Sequence, residues 1–106
     1  TGRVTQSCTN ALAGTGPENT YYWYSCGSFA GGGFSASTCA AASYDTVLEQ
    51  RSARTAARTC NDDGVGCTAF RAAVVTTVPA GAGIHTLYVD GFNGAAGTYT
   101  VNVIRP

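Results

Sequence analysis

The chain contains 106 residues and has no formal net charge, because six arginines balance four aspartates and two glutamates. Charged residues make up only 11% of the sequence, against roughly 25% in an average soluble domain, which leaves no basic surface for binding nucleic acid. This length predicts one domain, residues 1–106, with a thin core that needs additional stabilisation.

Apolar side chains recur at every second position along much of the chain, which is the period of a strand with one buried face. Six segments show this alternation, in chain order 21–24, 34–38, 46–48, 74–78, 84–89 and 99–104. Turns rich in glycine, proline or asparagine separate them. Short strands at this spacing indicate an all-β sandwich or barrel.

The segment 51–58 (RSARTAAR) leaves two interpretations open. Its arginines at offsets of three and seven would line one face of a helix and bind anions. The favoured interpretation is an exposed hairpin end, whose charges keep a sheet edge soluble. We then expect residues 57–60 to return as a strand beside residues 46–48.

The five cysteines and the absence of lysine indicate an oxidising compartment, so we expect a secreted protein. No apolar run approaches the roughly 18 residues needed to span a bilayer, so no membrane span is expected. The first residues lack the basic and apolar regions of a signal peptide, which is what a mature chain would show.

An odd number of cysteines leaves one thiol without an intramolecular partner, and the sequence alone does not select the bridges. We expect Cys60 to bond with Cys39 or Cys67, because that bridge would clamp the acidic loop that follows Cys60. Cys26 is also expected to lie in a disulfide. Zinc is disfavoured, since Cys60 and Cys67 are seven positions apart rather than the two to four of a usual ligand pair.

The residues needed for catalysis are scarce. His85, the one histidine, shares the strand phase of Leu87 and Val89, so we expect an inward, hydrogen-bonded imidazole rather than a general base. No nucleophile-elbow motif occurs. We therefore expect no enzyme activity, although a small enzyme that uses paired carboxylates stays open as an alternative.

An acidic loop carries the strongest chemical signal. Asn61, Asp62 and Asp63 stand together before Gly64, and calcium binds such clusters of oxygen ligands. Asp45 is the expected distant partner, because the hairpin would bring the loop back towards it. Simple turn chemistry, with these side chains capping backbone amides, is the alternative.

Several segments match one family in their order and spacing: YYWY at 21–24, FSASTC at 34–39, SYDTVL at 43–48, CNDDG at 60–64, the stretch 80–92, and GTYTV at 97–101. Together they resemble the bacterial pre-peptidase C-terminal domain over residues 8–104. The resemblance implies a jelly-roll-like β-sandwich stabilised by disulfides. It also implies a non-catalytic partner of a secreted enzyme's catalytic domain, with a role in secretion, targeting or substrate binding.

The resemblance bears on the ligands as well. Similar domains of bacterial collagenases bind collagen and calcium, and Asp45 with residues 61–63 falls where the family keeps acidic loop residues. The family's usual cysteine before the CNDDG segment is missing here, so its disulfide pattern does not transfer.

An adhesive module that binds an extracellular protein fibre or polysaccharide is the alternative function. Its ligand would be held by aromatic side chains that face outward from a rigid sheet. The expected aromatic contacts are Tyr21, Trp23, Tyr44, Tyr88 and Phe92. The competing interpretation places these rings in the core, because the chain is poor in leucine and isoleucine.

Overall fold

The computed structural model describes residues 19–52, 57–61, 64, 67, 71–91 and 97–106. Within these ranges the backbone forms seven strands and no helix. The strands are β1 (Asn19–Ser25), β2 (Gly32–Ala42), β3 (Thr46–Ser52), β4 (Ala57–Asn61), β5 (Ala73–Val78), β6 (Gly83–Gly91) and β7 (Tyr99–Ile104).

The strands build two antiparallel sheets, one in the order β1-β6-β3-β4 and the other in the order β5-β2-β7. Five of the six connections between successive strands change sheet, and only β3 and β4 are neighbours both in the chain and in a sheet. The predicted all-β sandwich is thereby confirmed. We call the face of each sheet that meets the other sheet its inner face, and the opposite face its outer face.

The core lies between the inner faces and follows the period of two. In β2, Phe34, Ala36 and Thr38 are buried while the serines between them are half-buried. The buried apolar cluster comprises Phe34, Ala36, Leu48, Ala72, Val74, Val78, Leu87 and Val89. Each large aliphatic or aromatic member contributes about 1.5–3 kcal/mol by leaving water. The set is small, as the composition predicts.

Strand β3 departs from simple alternation, because Val47 and Glu49 on its outer face are as buried as Leu48 on its inner face. A buried carboxylate is costly unless it is paired with a cation. Glu49, whose side chain is 1% exposed, forms an ion pair with Arg51. The Arg51 guanidinium also lies over the ring of Tyr88, 4.9 Å from its centroid.

The hairpin predicted around residues 51–58 forms, but its strands extend further towards the tip than predicted, so residues 57–60 pair with residues 49–52 rather than with residues 46–48. Ser52 pairs with Ala57 and Arg51 with Arg58 in the antiparallel β3–β4 ladder. The helical alternative is therefore wrong for these positions, because their backbones are extended. Residues 53–56 at the tip lie outside the described residues.

The disulfides differ from those expected. Cys39 bonds with Cys67, with the two Cα atoms 5.0 Å apart, so neither cysteine is available to Cys60. Cys60 is disulfide-bonded as well. It pairs with Glu49 on the outer face of the four-stranded sheet, whereas Cys39 belongs to the three-stranded sheet. Cys26 is an exposed free thiol, so the disulfide expected for it is also wrong.

Candidate functional site

Two of the four predicted calcium ligands, Asp45 and Asn61, belong to the described residues. Asp45 is half-buried just before β3, and Asn61 ends β4. The Asn61 Oδ1 atom accepts a hydrogen bond from the backbone N–H of Ala73, 3.1 Å away, which ties β4 to β5. Asp62 and Asp63 lie outside the described residues.

No group of three or more histidine, cysteine, aspartate or glutamate side chains is arranged to hold a metal ion in the described part of the chain. Calcium binding by Asp45, Asn61, Asp62 and Asp63 therefore stays a prediction of the sequence.

Two of the aromatic residues expected to bind ligand lie on the inner face. The β1–β6 register places Tyr21 opposite Leu87 and Trp23 opposite His85, and directly opposed residues share a face. The Tyr21 hydroxyl is 2.7 Å from the Tyr99 hydroxyl. The Trp23 ring packs against His85 at 4.1 Å between centroids. Trp23 thus stabilises the packing of the two sheets, whereas Tyr21 is 45% exposed and links β1 to β7 through its hydroxyl.

The remaining expected aromatics are dispersed. Tyr44 makes an edge-to-face contact with Tyr99 at 6.4 Å, and its pKa is raised by burial and by the nearby Asp90 carboxylate. Tyr88 is half-buried on the outer face beneath Arg51. Phe92 lies outside the described residues. Tyr21 and Tyr44 thus meet at Tyr99, whereas Tyr88 lies on the outer face, so the described members of the set do not share one surface.

A different pair of aromatics is exposed on the outer face of the four-stranded sheet. Tyr22 and Tyr24 are 67% and 74% exposed. They stand opposite Thr86 and Ile84 of the neighbouring strand, and Ile84 is exposed too. We call Tyr22, Tyr24, Ile84 and Thr86 the tyrosine patch.

The sequence gives no clear signal for this patch. All four residues of the 21–24 segment are aromatic, so alternation shows that two face each way but not which two. The register with β6 shows which two face outward. Tyr21 stands opposite Leu87, a core residue, so Tyr21 and Trp23 lie on the inner face and Tyr22 and Tyr24 on the outer face.

His85 lies in a chain of hydrogen bonds that runs from Gln50 to the Gly81 carbonyl, and its side chain is 1% exposed. Ser25 Oγ donates to the backbone carbonyl of Gly81 at 2.7 Å, so it accepts from His85 Nε2 at 2.9 Å. His85 Nδ1 then accepts from Ser52 Oγ at 3.0 Å. Gln50 Nε2 donates to Ser52 Oγ at 3.2 Å.

The inward, satisfied histidine predicted from the sequence is thereby confirmed. Burial lowers the pKa of His85, which keeps the ring neutral in this chain of bonds. Ser25, His85 and Ser52 are aligned as in a nucleophilic triad, but Ser52 stands where a triad has a carboxylate.

No protein-family model matches the chain, and no curated protein or solved structure is significantly similar to it. The described residues contain no helix that is both long and apolar enough to cross a bilayer.

Proposed function

We propose that this chain is a non-catalytic accessory domain of a secreted bacterial enzyme and that it binds an extracellular polysaccharide on the tyrosine patch. The exposure of Tyr22 and Tyr24 on a regular strand is the observation that supports binding. The link to an enzyme rests on the resemblance of the sequence to pre-peptidase C-terminal domains.

The geometry of the patch fits an extended ligand. Side chains two positions apart on a strand are separated by about 6.6 Å, so the two rings offer successive stacking surfaces along β1. The strand is held along its whole length by β6. Binding would therefore cost little conformational entropy in the protein.

The chemistry of the patch favours sugar over a charged partner. β1 contains no ionisable side chain other than tyrosine, and Arg51, which pairs with Thr86 at the border of the patch, is already in an ion pair with Glu49. Each exposed tyrosine combines an apolar ring with a hydroxyl group, and Thr86 adds another hydroxyl beside Tyr22. A neutral sugar ring presents apolar C–H groups and hydroxyls together, which matches this combination.

The disulfides support the proposed location outside the cell. Cys39–Cys67 and the bonded Cys60 are both in the oxidised form. Such bonds persist in secreted and extracellular proteins and are rare in the cytosol.

The first experiment tests the patch directly. The purified chain and its Tyr22→Ala/Tyr24→Ala variant are incubated with insoluble cellulose, chitin and xylan, and with collagen fibres, and the bound fraction is measured. We expect the wild type to bind a polysaccharide and the variant to bind it about tenfold more weakly, since each aromatic contact is worth about 0.5–1.5 kcal/mol beyond its buried area.

The matched control is Val75→Ala/Ile104→Ala, which removes exposed apolar groups from the outer face of the other sheet. It should bind like the wild type. Retention on collagen alone would favour the protein-fibre alternative, and equal binding by wild type and the tyrosine variant would overturn the assignment of the patch.

A further inference from the structure

A cavity of about 310 Å³ opens at the end of the three-stranded sheet where β2 ends and β7 begins, and no residue of the tyrosine patch lines it. It lies beside the irregularity in the β2–β7 ladder, where pairing is interrupted between Ser37 and Ala41. Its described polar lining comes from Ser43, Arg71, Thr98, Tyr99 and Thr100, with two β2 alanines beside them. We call it the Arg71 cavity.

Arg71 is held in a fixed orientation at this cavity. Its Nη1 and Nη2 atoms donate to the backbone carbonyls of Cys39 and Ala42, each at 3.2 Å. A guanidinium carries five N–H donors, and these two bonds use only one N–H of each Nη atom, so each Nη atom keeps a second N–H. The Nε atom is buried and has no hydrogen-bond partner within the described residues. No described carboxylate forms an ion pair with Arg71.

The other lining groups add hydrogen-bond donors rather than negative charge. Ser43 Oγ accepts from the backbone N–H of Thr98 at 2.9 Å, which leaves its own proton available to a ligand. The pKa of Tyr99 is raised by burial and by its bond with Tyr21, so its hydroxyl stays neutral. None of the described lining residues is acidic.

We infer that the Arg71 cavity binds a carboxylate group, and that the ligand is an acidic sugar residue of the hexuronic acid type. The planar guanidinium fork matches a carboxylate in geometry and charge. The hydroxyls of Ser43, Thr98 and Thr100 match the hydroxyls of a sugar ring. The volume of about 310 Å³ is at the small end of the range for ligand pockets, which is roughly 300–1,000 Å³, and it suits a single sugar residue within the cavity.

The inference is tested by titrating the full chain with galacturonic acid and following binding by calorimetry and NMR chemical shifts. Galactose, which lacks the carboxylate, and acetate, which lacks the sugar ring, are the two comparison ligands. We expect saturable binding of galacturonic acid that weakens with added salt. Equal binding of galactose would contradict recognition of the carboxylate. Equal binding of acetate would contradict recognition of the sugar ring.

Two variants identify the residues involved. Arg71→Lys keeps the charge but loses the fork, and we expect at least a tenfold loss of affinity. Because Arg71 also braces two backbone carbonyls, folding of this variant is checked by its melting temperature. Thr100→Val removes only an exposed hydroxyl in a shape-conserving way, and we expect it to bind galacturonic acid several-fold more weakly.

The control for Thr100→Val is Thr77→Val, which alters an exposed threonine of β5 outside the cavity and should leave binding unchanged. The inference is contradicted if the Thr100→Val variant and a folded Arg71→Lys variant both bind galacturonic acid with the affinity of the wild type. The Tyr22→Ala/Tyr24→Ala variant should keep this binding, so failure of the tyrosine patch and failure of the Arg71 cavity are separable.

Discussion

At the scale of single residues, His85 shows how a thin core accommodates polar groups. Both ring nitrogens have a serine partner, and the ring packs against Trp23. Each donor in the chain from Gln50 to the Gly81 carbonyl has an acceptor. A buried network of this kind is stabilising only while every member is satisfied, and protonation of the ring would add a donor that has no acceptor.

This arrangement predicts a dependence of stability on pH. Burial holds the folded-state pKa of His85 below its ordinary value, which is about 6.5. The unfolded chain therefore takes up a proton at a higher pH than the folded chain does. The stability contributed by the neutral ring is complete above about pH 7 and is lost as the pH falls below about 6.5, with a slope of at most about 1.4 kcal/mol per pH unit.

Urea unfolding measured from pH 7.5 to pH 5.5 checks the prediction. His85 is the one histidine in the chain, so the slope in this window is assigned to it. A His85→Gln variant should be less stable at pH 7.5 but should show a flat profile. The same slope in both proteins would mean that another group is responsible.

At the scale of elements, the entry into β2 depends on a backbone conformation that favours glycine. Gly31 has a φ of 84°. A Cβ atom at this position would lie 3.0 Å from the Val78 carbonyl oxygen and 3.2 Å from the Ala80 nitrogen. The turn that precedes β2 thus passes close to the backbone that joins β5 to β6.

Replacing Gly31 with alanine should lower the free energy of unfolding by about 1–2 kcal/mol, because alanine is strained in the left-handed region. Chemical denaturation of the wild type and the variant measures this difference. Gly33→Ala is the matched control, since its Cβ would meet no atom within 4 Å and its φ is not positive. Equal destabilisation by both substitutions would refute the role given to Gly31.

The strands themselves could be predicted from the sequence, because alternation is a local property. β2 and β6 follow it clearly, with Phe34 and Leu87 buried. β3 does not, since burial of Val47 and Glu49 on its outer face depends on its place inside the four-stranded sheet.

Positions in the candidate sites were harder to predict, because they depend on which distant segments meet. The β1–β6 register exposes Tyr22 and Tyr24 and turns Tyr21 and Trp23 inward. Arg71 donates hydrogen bonds to the backbone beside the β2–β7 irregularity. No local sequence pattern predicts that irregularity. The expected disulfide between Cys60 and Cys39 is wrong for the same reason, since these two residues belong to different sheets.

At the scale of the whole molecule, calcium is the remaining prediction of the sequence. An ion held by Asp45, Asn61, Asp62 and Asp63 would link the start of β3 to the residues that follow β4. A ligand that binds only the folded state raises stability, by about 2.7 kcal/mol at a hundred times its dissociation constant. We therefore expect millimolar calcium to raise the melting temperature and a chelator to reverse the rise.

Magnesium at the same concentration is the control, because it accepts fewer ligands in a stricter geometry. An Asp62→Asn/Asp63→Asn variant should lose the calcium effect. A wild-type melting temperature that responds to neither calcium nor chelator would rule out the site.

The repeated exchange between sheets also governs how the molecule is assembled. Apart from the β3–β4 pair, all paired strands are far apart in the sequence. The single partner of β1 is β6, so β1 can pair only after β6 has been synthesised. Closing such long loops before any contact rewards them slows folding. We therefore expect a nascent chain to complete its two sheets only after β6 and β7 have been synthesised.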